Sequence, residues 1–152
     1  MKTENQDIEQ LLLEGNSIRF KPKGYSMYPI FVPGRDEAVV EPVQDAGKLR
    51  RGDVVLYRRL HENGEKSILV LHRIWKVGKN GIYLVGDNQR EIEGPLMPEQ
   101  MKGILVMLIR KGKSISAQNI VYRFLTGVWL WLRPVRPYIA WVASKIKKLV
   151  GK

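Results

Sequence analysis

The sequence contains no cysteine and only two histidines among its 152 residues. Without cysteine there is no disulfide scaffold, no thiolate metal site and no cysteine nucleophile. The histidines, His61 and His72, are not at the spacing of paired metal ligands, so the sequence predicts no zinc site and no other cofactor. What remains is the chemistry of serine, histidine and carboxylate side chains.

Acidic residues are absent from the last third of the chain. All 15 acids lie at or before Glu99, together with 15 of the 26 basic residues, so residues 1–99 have no net charge. The other 11 basic residues lie between Lys102 and Lys152 and account for the net charge of +11. The charge therefore predicts a neutral domain followed by a basic tail. Nucleic acid is not the expected partner, because the tryptophans of that tail lie in helical apolar stripes.

Long apolar runs are missing as well. The first ten residues are mostly polar, and the longest uncharged stretch near the C-terminus, Phe124 to Leu132, has nine residues. A secretory signal needs an apolar run of roughly 7–15 residues, and a membrane-spanning helix needs about 20. We therefore expect neither an export signal nor a spanning helix.

Three segments follow from the pattern of apolar residues. Residues 1–16 predict a helix that Thr3 and Gln6 could cap and Gly15 ends. Residues 17–113 predict a mostly antiparallel β domain, with turns and brief strands over 18–43 and turns at 62–65 and 78–81. Its four clearest strands are Asp53–Arg58, Ser67–Val77, Gly81–Val85 and Gly103–Ile109.

Residues 114–152 have a helical period and predict a basic amphipathic tail. Pro134 and Pro137 interrupt the run and separate two helices. Aromatic residues alternate with basic ones there: Trp129, Trp131, Tyr138 and Trp141. Such helices are typical of segments that lie on an anionic membrane, so we predict that residues 117–150 bind one peripherally, from the cytoplasmic face. The alternative is that the apolar stripes pack on the β domain.

Two short stretches carry the candidate chemistry. Ser26 lies between Gly24 and Pro29, where the backbone turns and a hydroxyl can be presented. A serine hydroxyl needs a base within hydrogen-bond reach to act as a nucleophile. His72 is the candidate base, because its apolar strand would keep the imidazole neutral and able to accept a proton.

Four blocks in order resemble the signal peptidase I group, within the wider class of serine peptidases that includes the self-cleaving SOS-type repressors. They are Gly24-Tyr25-Ser26-Met27-Tyr28-Pro29, Arg51-Gly52-Asp53-Val54-Val55, Leu71-His72-Arg73-Ile74 and Gly86-Asp87-Asn88. The resemblance covers about residues 25–109.

The resemblance implies an all-β peptidase fold with Ser26 as nucleophile. A histidine followed by arginine is similar to the archaeal and endoplasmic-reticulum type, which implies His72 as base. The acidic partner implied is Asp87, with Glu93 as the alternative. Bacterial relatives place an oxyanion-binding hydroxyl where this chain has Gly24, which leaves the Ser26 amide as the expected donor. Relatives also carry an N-terminal membrane anchor, which the basic tail would replace.

Two functions remain open on these residues. The first is a serine endopeptidase that cleaves a leader or precursor peptide through an acyl-enzyme. The second is a catalytically weak or inactive relative that binds nucleic acid or peptides through its tail. Nucleic-acid binding of this kind would rest on phosphate contacts and fall steeply with salt.

Overall fold

The computed structural model describes residues 4–60 and 67–151. The predicted Thr3 cap, His61 and the turn predicted at 62–65 lie outside these ranges. The helices are α1 (Glu4–Leu13), α2 (Ile120–Trp131) and α3 (Arg136–Val150). The strands are β1 (Ile18–Phe20), β2 (Asp36–Pro42), β3 (Val54–Arg59), β4 (Ile68–Gly78), β5 (Gly81–Val85), β6 (Glu93–Leu96), β7 (Met101–Arg110) and β8 (Lys113–Ser116).

The strands form one antiparallel sheet in the order β1-β2-β7-β3-β4-β5-β6, with β8 also paired to β7. The mostly β fold with a short N-terminal helix and a helical tail is therefore confirmed. All four predicted strands are present, and the predicted hairpin at 78–81 joins β4 to β5, with Gly78 opposite Gly81. The sheet runs on to Ser116, beyond the predicted end of the domain at residue 113.

The central strand β3 is buried on both faces because apolar side chains occupy every position of its first half. Val54 and Leu56 point into one core, which also contains Met27 and Leu71. Val55 and Tyr57 point into a second core with residues of β4 and β5. A fully buried aliphatic side chain contributes about 1.5–3 kcal/mol, so both cores hold β3 and β4 firmly in place.

The tail is helical, as predicted, and the break falls at the predicted prolines, where residues 133–135 form a short 3-10 turn. The predicted apolar stripe of α2 does not pack on the sheet. Thr126 and Leu130 are buried instead, and the stripe residues Phe124 and Val128 are exposed. Every residue of 138–151 is exposed. Within the described part of the chain, no helix is long and apolar enough to cross a membrane.

Candidate active site

Ser26 lies on a tight turn between β1 and β2. The Tyr28 N–H donates to the Tyr25 carbonyl at 3.1 Å, and the Met27 side chain is buried in the first core. The turn is thus closed by a hydrogen bond and fixed by a buried side chain, while Ser26 itself is partly exposed. No hydrogen bond among the described residues takes up the Ser26 hydroxyl or its N–H.

Gly24 has a backbone reason to be glycine. Its φ is 77°, in the left-handed region that side chains disfavour, although a Cβ there would have no heavy atom within 4 Å. A serine or threonine at this position would therefore be strained by its backbone and not by its neighbours. This conformation accounts for the missing hydroxyl two residues before Ser26.

The Gly86-Asp87-Asn88 loop packs against the backbone of the serine turn. The Asn88 N–H donates to the Ser26 carbonyl at 2.8 Å. A Cβ on Gly86 would lie 2.6 Å from that same carbonyl oxygen, so only glycine allows the two segments to approach. The first and fourth of the motifs are therefore in direct contact.

The buried side chain of Arg73 joins the remaining motifs. Its Nε and Nη2 each donate to an Asp87 carboxylate oxygen at 2.8 Å, and its Nη1 donates to the Gly52 carbonyl at 2.9 Å. Burial alone would lower the pKa of Arg73, but the charge and hydrogen bonds of Asp87 raise it. Asp53 holds its own turn by accepting from the Arg50 N–H at 3.0 Å. Arg73 thus joins the second, third and fourth motifs directly, and the Asn88–Ser26 hydrogen bond connects the first motif to them.

His72 is buried on the other face of β4, toward the second core. Its Nδ1 lies 3.2 Å from the Tyr57 hydroxyl. Burial, reinforced by the positive charge of Arg59, lowers the pKa of His72 to about 4. The imidazole is therefore neutral at pH 7 and has a lone pair available for a proton.

The two acidic candidates are placed differently. Both carboxylate oxygens of Asp87 are used by Arg73, and no hydrogen bond in the described ranges joins Asp87 to His72. Glu93 accepts from the Tyr57 hydroxyl and from Arg59 at 2.8–2.9 Å. Burial would raise the pKa of Glu93, but these hydrogen bonds lower it. Glu93 is thus linked to His72 through Tyr57, whereas Asp87 acts on His72 by charge only.

Ser26 is one of the residues that line an apolar groove of about 250 Å³. Its walls include the residues directly before His72 on β4 and side chains from α1, β1 and β3: Ile8, Phe20, Met27, Leu56, Leu69 and Leu71. Ser26 and His72 are not hydrogen-bonded to each other in the described structure. Ser26 lines this groove, and the His72 ring lies behind it on the opposite face of β4.

The tail contacts the same loop. The Trp129 indole N–H and Arg136 Nη1 both donate to the Asp87 carbonyl, at 2.8 and 2.6 Å. Arg123 of α2 pairs with Asp53 at 3.1 Å. Part of the tail's charge, which faces no acid within its own segment, is therefore neutralised by the domain.

The roles of Tyr57 and Arg59 were not predicted from the sequence. Both lie at the end of a Val-Val-Leu-Tyr-Arg-Arg run that is typical of a buried strand reaching solvent. Only the pairing of β3 with β4, which sets Tyr57 opposite Val70, places the hydroxyl beside His72. In the described ranges, no three histidine or carboxylate side chains are grouped so as to hold a metal ion.

The lowered pKa of His72 predicts a pH-dependent stability. The unfolded chain binds a proton at this residue near pH 6.5, whereas the folded protein does so only near pH 4, so acid favours unfolding across that window. We expect the free energy of unfolding to fall by about 2–3 kcal/mol between pH 7 and pH 4.5 from this residue. Urea titrations at both pH values measure it.

A His72→Gln variant is the reference for that measurement, since it keeps every carboxylate that also titrates in acid. Its stability should fall less between the two pH values than that of the wild type. Equal losses in both proteins would contradict the assignment of the low pKa to His72.

Comparisons with protein-family models, with curated proteins and with solved structures find no match to this chain. The resemblance to signal peptidases therefore depends on the four sequence motifs alone.

Proposed function

We propose that this protein is a serine endopeptidase of the signal-peptidase type that cleaves a leader or precursor peptide. The observation that carries the proposal is the set of hydrogen bonds joining four separate motifs behind Ser26, which lines an apolar groove. A turn serine with a purely structural role would not need a buried ion pair and a close-approach glycine to fix its carbonyl.

The groove offers an extended peptide both side-chain and backbone contacts. Residues 73–78 of β4 pair with β5, but 68–72 have a described strand partner only on the β3 side. This free edge runs along the groove, so a substrate strand can pair with it and place alternate side chains against the apolar walls. Lys21 and Lys23 also line the groove, near Ser26.

The proposed reaction uses Ser26 and His72. His72 Nε2 accepts the proton of the Ser26 hydroxyl as Oγ bonds to the substrate carbonyl carbon, and the Ser26 N–H donates to the resulting oxyanion. The imidazolium gives its proton to the leaving amine when the C–N bond breaks. Water, deprotonated by His72, then hydrolyses the acyl-enzyme and restores Ser26. Because the His72 ring faces the opposite side of β4 from the groove, this reaction requires the β4 segment around His72 to rearrange on substrate binding, and a rotation of the Ser26 side chain alone does not bring the two groups together.

A pool of synthetic peptides tests this function. The full chain should cleave a subset of them, read by mass spectrometry of the products. An acid quench should trap an acyl group on the fragment that contains Ser26. A chain that neither cleaves any peptide nor reacts with a serine-directed phosphonate at Ser26 contradicts the proposal.

We also propose that the tail holds the enzyme on an anionic membrane, because no residue of the described ranges covers the apolar side chains of α3. Its apolar side chains recur at three- and four-residue steps and are exposed, among them Tyr138, Val142, Ile146 and Leu149. A lone helix of 15 residues is marginal in water, so this face needs a partner. The tail contains no acidic residue that could pair with Lys145, Lys147 and Lys148. Their positive charges are therefore attracted to the anionic lipids of the inner leaflet.

We expect the protein to co-sediment with anionic vesicles through α3, and to co-sediment much less with neutral vesicles. Changing Lys147 and Lys148 to Gln should weaken binding about 30-fold at low salt, at about 1 kcal/mol for each lysine. Changing Val142 and Ile146 to Ser should weaken it by a similar amount or more, through lost apolar burial.

The matched control changes Leu60 and Met97 to Ser, since both are large, exposed apolar residues outside the tail. These changes should leave vesicle binding as it is. Binding to neither kind of vesicle, or equal losses in the control and the α3 variants, would remove the membrane proposal.

A further inference from the structure

Tyr57 connects the His72 ring to a carboxylate that has no hydrogen bond to that ring. On the paired strands β3 and β4, Tyr57 is opposite Val70 and Val55 is opposite His72, so the two rings are diagonal neighbours on one face. Their centroids are 5.8 Å apart, and both side chains are almost completely buried. Bulk water therefore cannot reach the contact between the Tyr57 hydroxyl and His72 Nδ1, and cannot take the place of either hydrogen-bond partner.

The hydrogen bonds at the Tyr57 hydroxyl determine which nitrogen of His72 carries the proton. The hydroxyl has a single hydrogen, which it donates to Glu93, and Arg59 Nη2 donates to its oxygen at 3.1 Å. The remaining contact, with His72 Nδ1 at 3.2 Å, can then only be one in which Nδ1–H donates to the hydroxyl oxygen. His72 is accordingly held as the Nδ1–H tautomer, with the lone pair on Nε2.

We propose that Tyr57 and Glu93 are positioning residues for His72, acting as a histidine–tyrosine–glutamate chain that orients the imidazole. The inference rests on the proposed peptidase function. When Nε2 takes the proton of Ser26, the new positive charge is next to the Tyr57 oxygen, with the Glu93 carboxylate behind it. No proton needs to cross the tyrosine, and Glu93 stays ionised throughout.

Arg59 holds Glu93 ionised and in place within the histidine–tyrosine–glutamate chain. Its Nε and Nη2 bind both oxygens of Glu93 at 2.9 and 2.8 Å, which fixes the carboxylate and keeps it from taking the tyrosine proton. The charged groups acting on His72 are Arg59 from β3, Glu93 from β6 and Asp87 from the loop after β5. Arg59 lowers the pKa of His72, and the two carboxylates raise it.

The histidine–tyrosine–glutamate chain differs from the arrangement that the motifs predict, in which a carboxylate contacts the imidazole itself. Asp87 makes no hydrogen bond to His72 in the described residues, and its carboxylate is bound by Arg73 instead. Glu93 has the negative charge that would stabilise a protonated His72, but it contacts Tyr57 and not the imidazole. The Tyr57 hydroxyl connects the two.

The test is the ring tautomer of His72, read from the nitrogen chemical shifts of 15N-labelled protein at pH 7. A His61→Asn variant assigns the signals, since the chain has two histidines. We expect the Nδ1–H form in the wild type and a mixture of tautomers in Tyr57→Phe. We expect Glu93→Gln to lower the pH at which His72 titrates, because it removes a charge that favours the imidazolium.

A Tyr83→Phe variant is the matched control, because it removes a tyrosine hydroxyl from β5 outside this chain of hydrogen bonds and should leave the tautomer unchanged. With a cleaved peptide in hand, Tyr57→Phe should lower kcat roughly ten- to a hundredfold with little change in KM. A wild-type protein in the Nε2–H form, or a Tyr57→Phe protein with an unchanged tautomer, would overturn the proposal. The tautomer is measured without substrate, so this result is independent of whether peptide cleavage is found.

Discussion

Ser26→Ala should lower the rate of peptide cleavage by at least about a thousandfold. The variant removes the only oxygen proposed to bond to the substrate carbonyl, and removing the nucleophile of a serine peptidase leaves only the rate enhancement from binding and from the oxyanion donor. The turn itself should persist, because the Ser26 carbonyl, the Asn88 N–H and the buried Met27 side chain are unchanged. Product formation at saturating peptide gives the rate.

The matched control is Ser17→Ala, which removes another hydroxyl just before β1 and should keep the full rate. The Ser26→Ala protein should also fail to form the acid-stable acyl adduct. A rate within tenfold of the wild type would exclude Ser26 as the nucleophile and assign the cleavage to another group.

Asp87→Ala should cost about 3–5 kcal/mol of the free energy of unfolding. Arg73 and Asp87 are completely buried and joined by two parallel hydrogen bonds. Removing the carboxylate leaves a guanidinium in the core with no counter-charge, which is the costly way to break a buried pair. Urea unfolding at pH 7 measures the loss, and the double variant Arg73→Met with Asp87→Leu should recover part of it.

Glu37→Ala is the reference for a surface ion pair. It breaks the contact with Arg19, whose side chain is 59% exposed, and should change stability far less than Asp87→Ala does, because solvent screens the pair. If Asp87→Ala cost no more than Glu37→Ala, the ion pair would not be what holds the motifs together. An Asp87→Ala protein that unfolds readily but keeps the Nδ1–H tautomer of His72 would separate the structural part of Asp87 from the orientation of the base.

Much of the sheet could be predicted because its central strands have strong local signals. The β3 and β4 runs are rich in Val, Leu and Ile, and the Asn80-Gly81 pair marks the hairpin between β4 and β5. The strand β6 is harder to recognise, because Pro95 removes a backbone donor and is tolerated only at the edge where this strand lies. The hairpin to β8 turns at Lys111 and Gly112, both with positive φ, and a lysine in that region gives no turn signal.

The site could be predicted only as far as the motifs extend. Ser26, His72, Arg73 and Asp87 all occur in recognisable blocks, but a block does not say which partner each side chain takes. Arg73 and His72 are consecutive and therefore point to opposite faces of β4, so one meets Asp87 and the other meets Tyr57. That division depends on the pairing of distant strands, which no local pattern encodes.

The Trp129 contact makes the fluorescence of this protein informative in two separate ways. Trp129 is half-buried with its indole N–H on the Asp87 carbonyl, while Trp131 and Trp141 are exposed on the tail. Indole emission shifts with the polarity around the ring. A peptide that displaces the loop behind Ser26 should therefore change the emission of Trp129, and a vesicle that takes up the tail should change that of Trp131 and Trp141. With Trp75, Trp131 and Trp141 all changed to Phe, Trp129 is the one tryptophan left in the chain, and its emission reports on the loop behind Ser26.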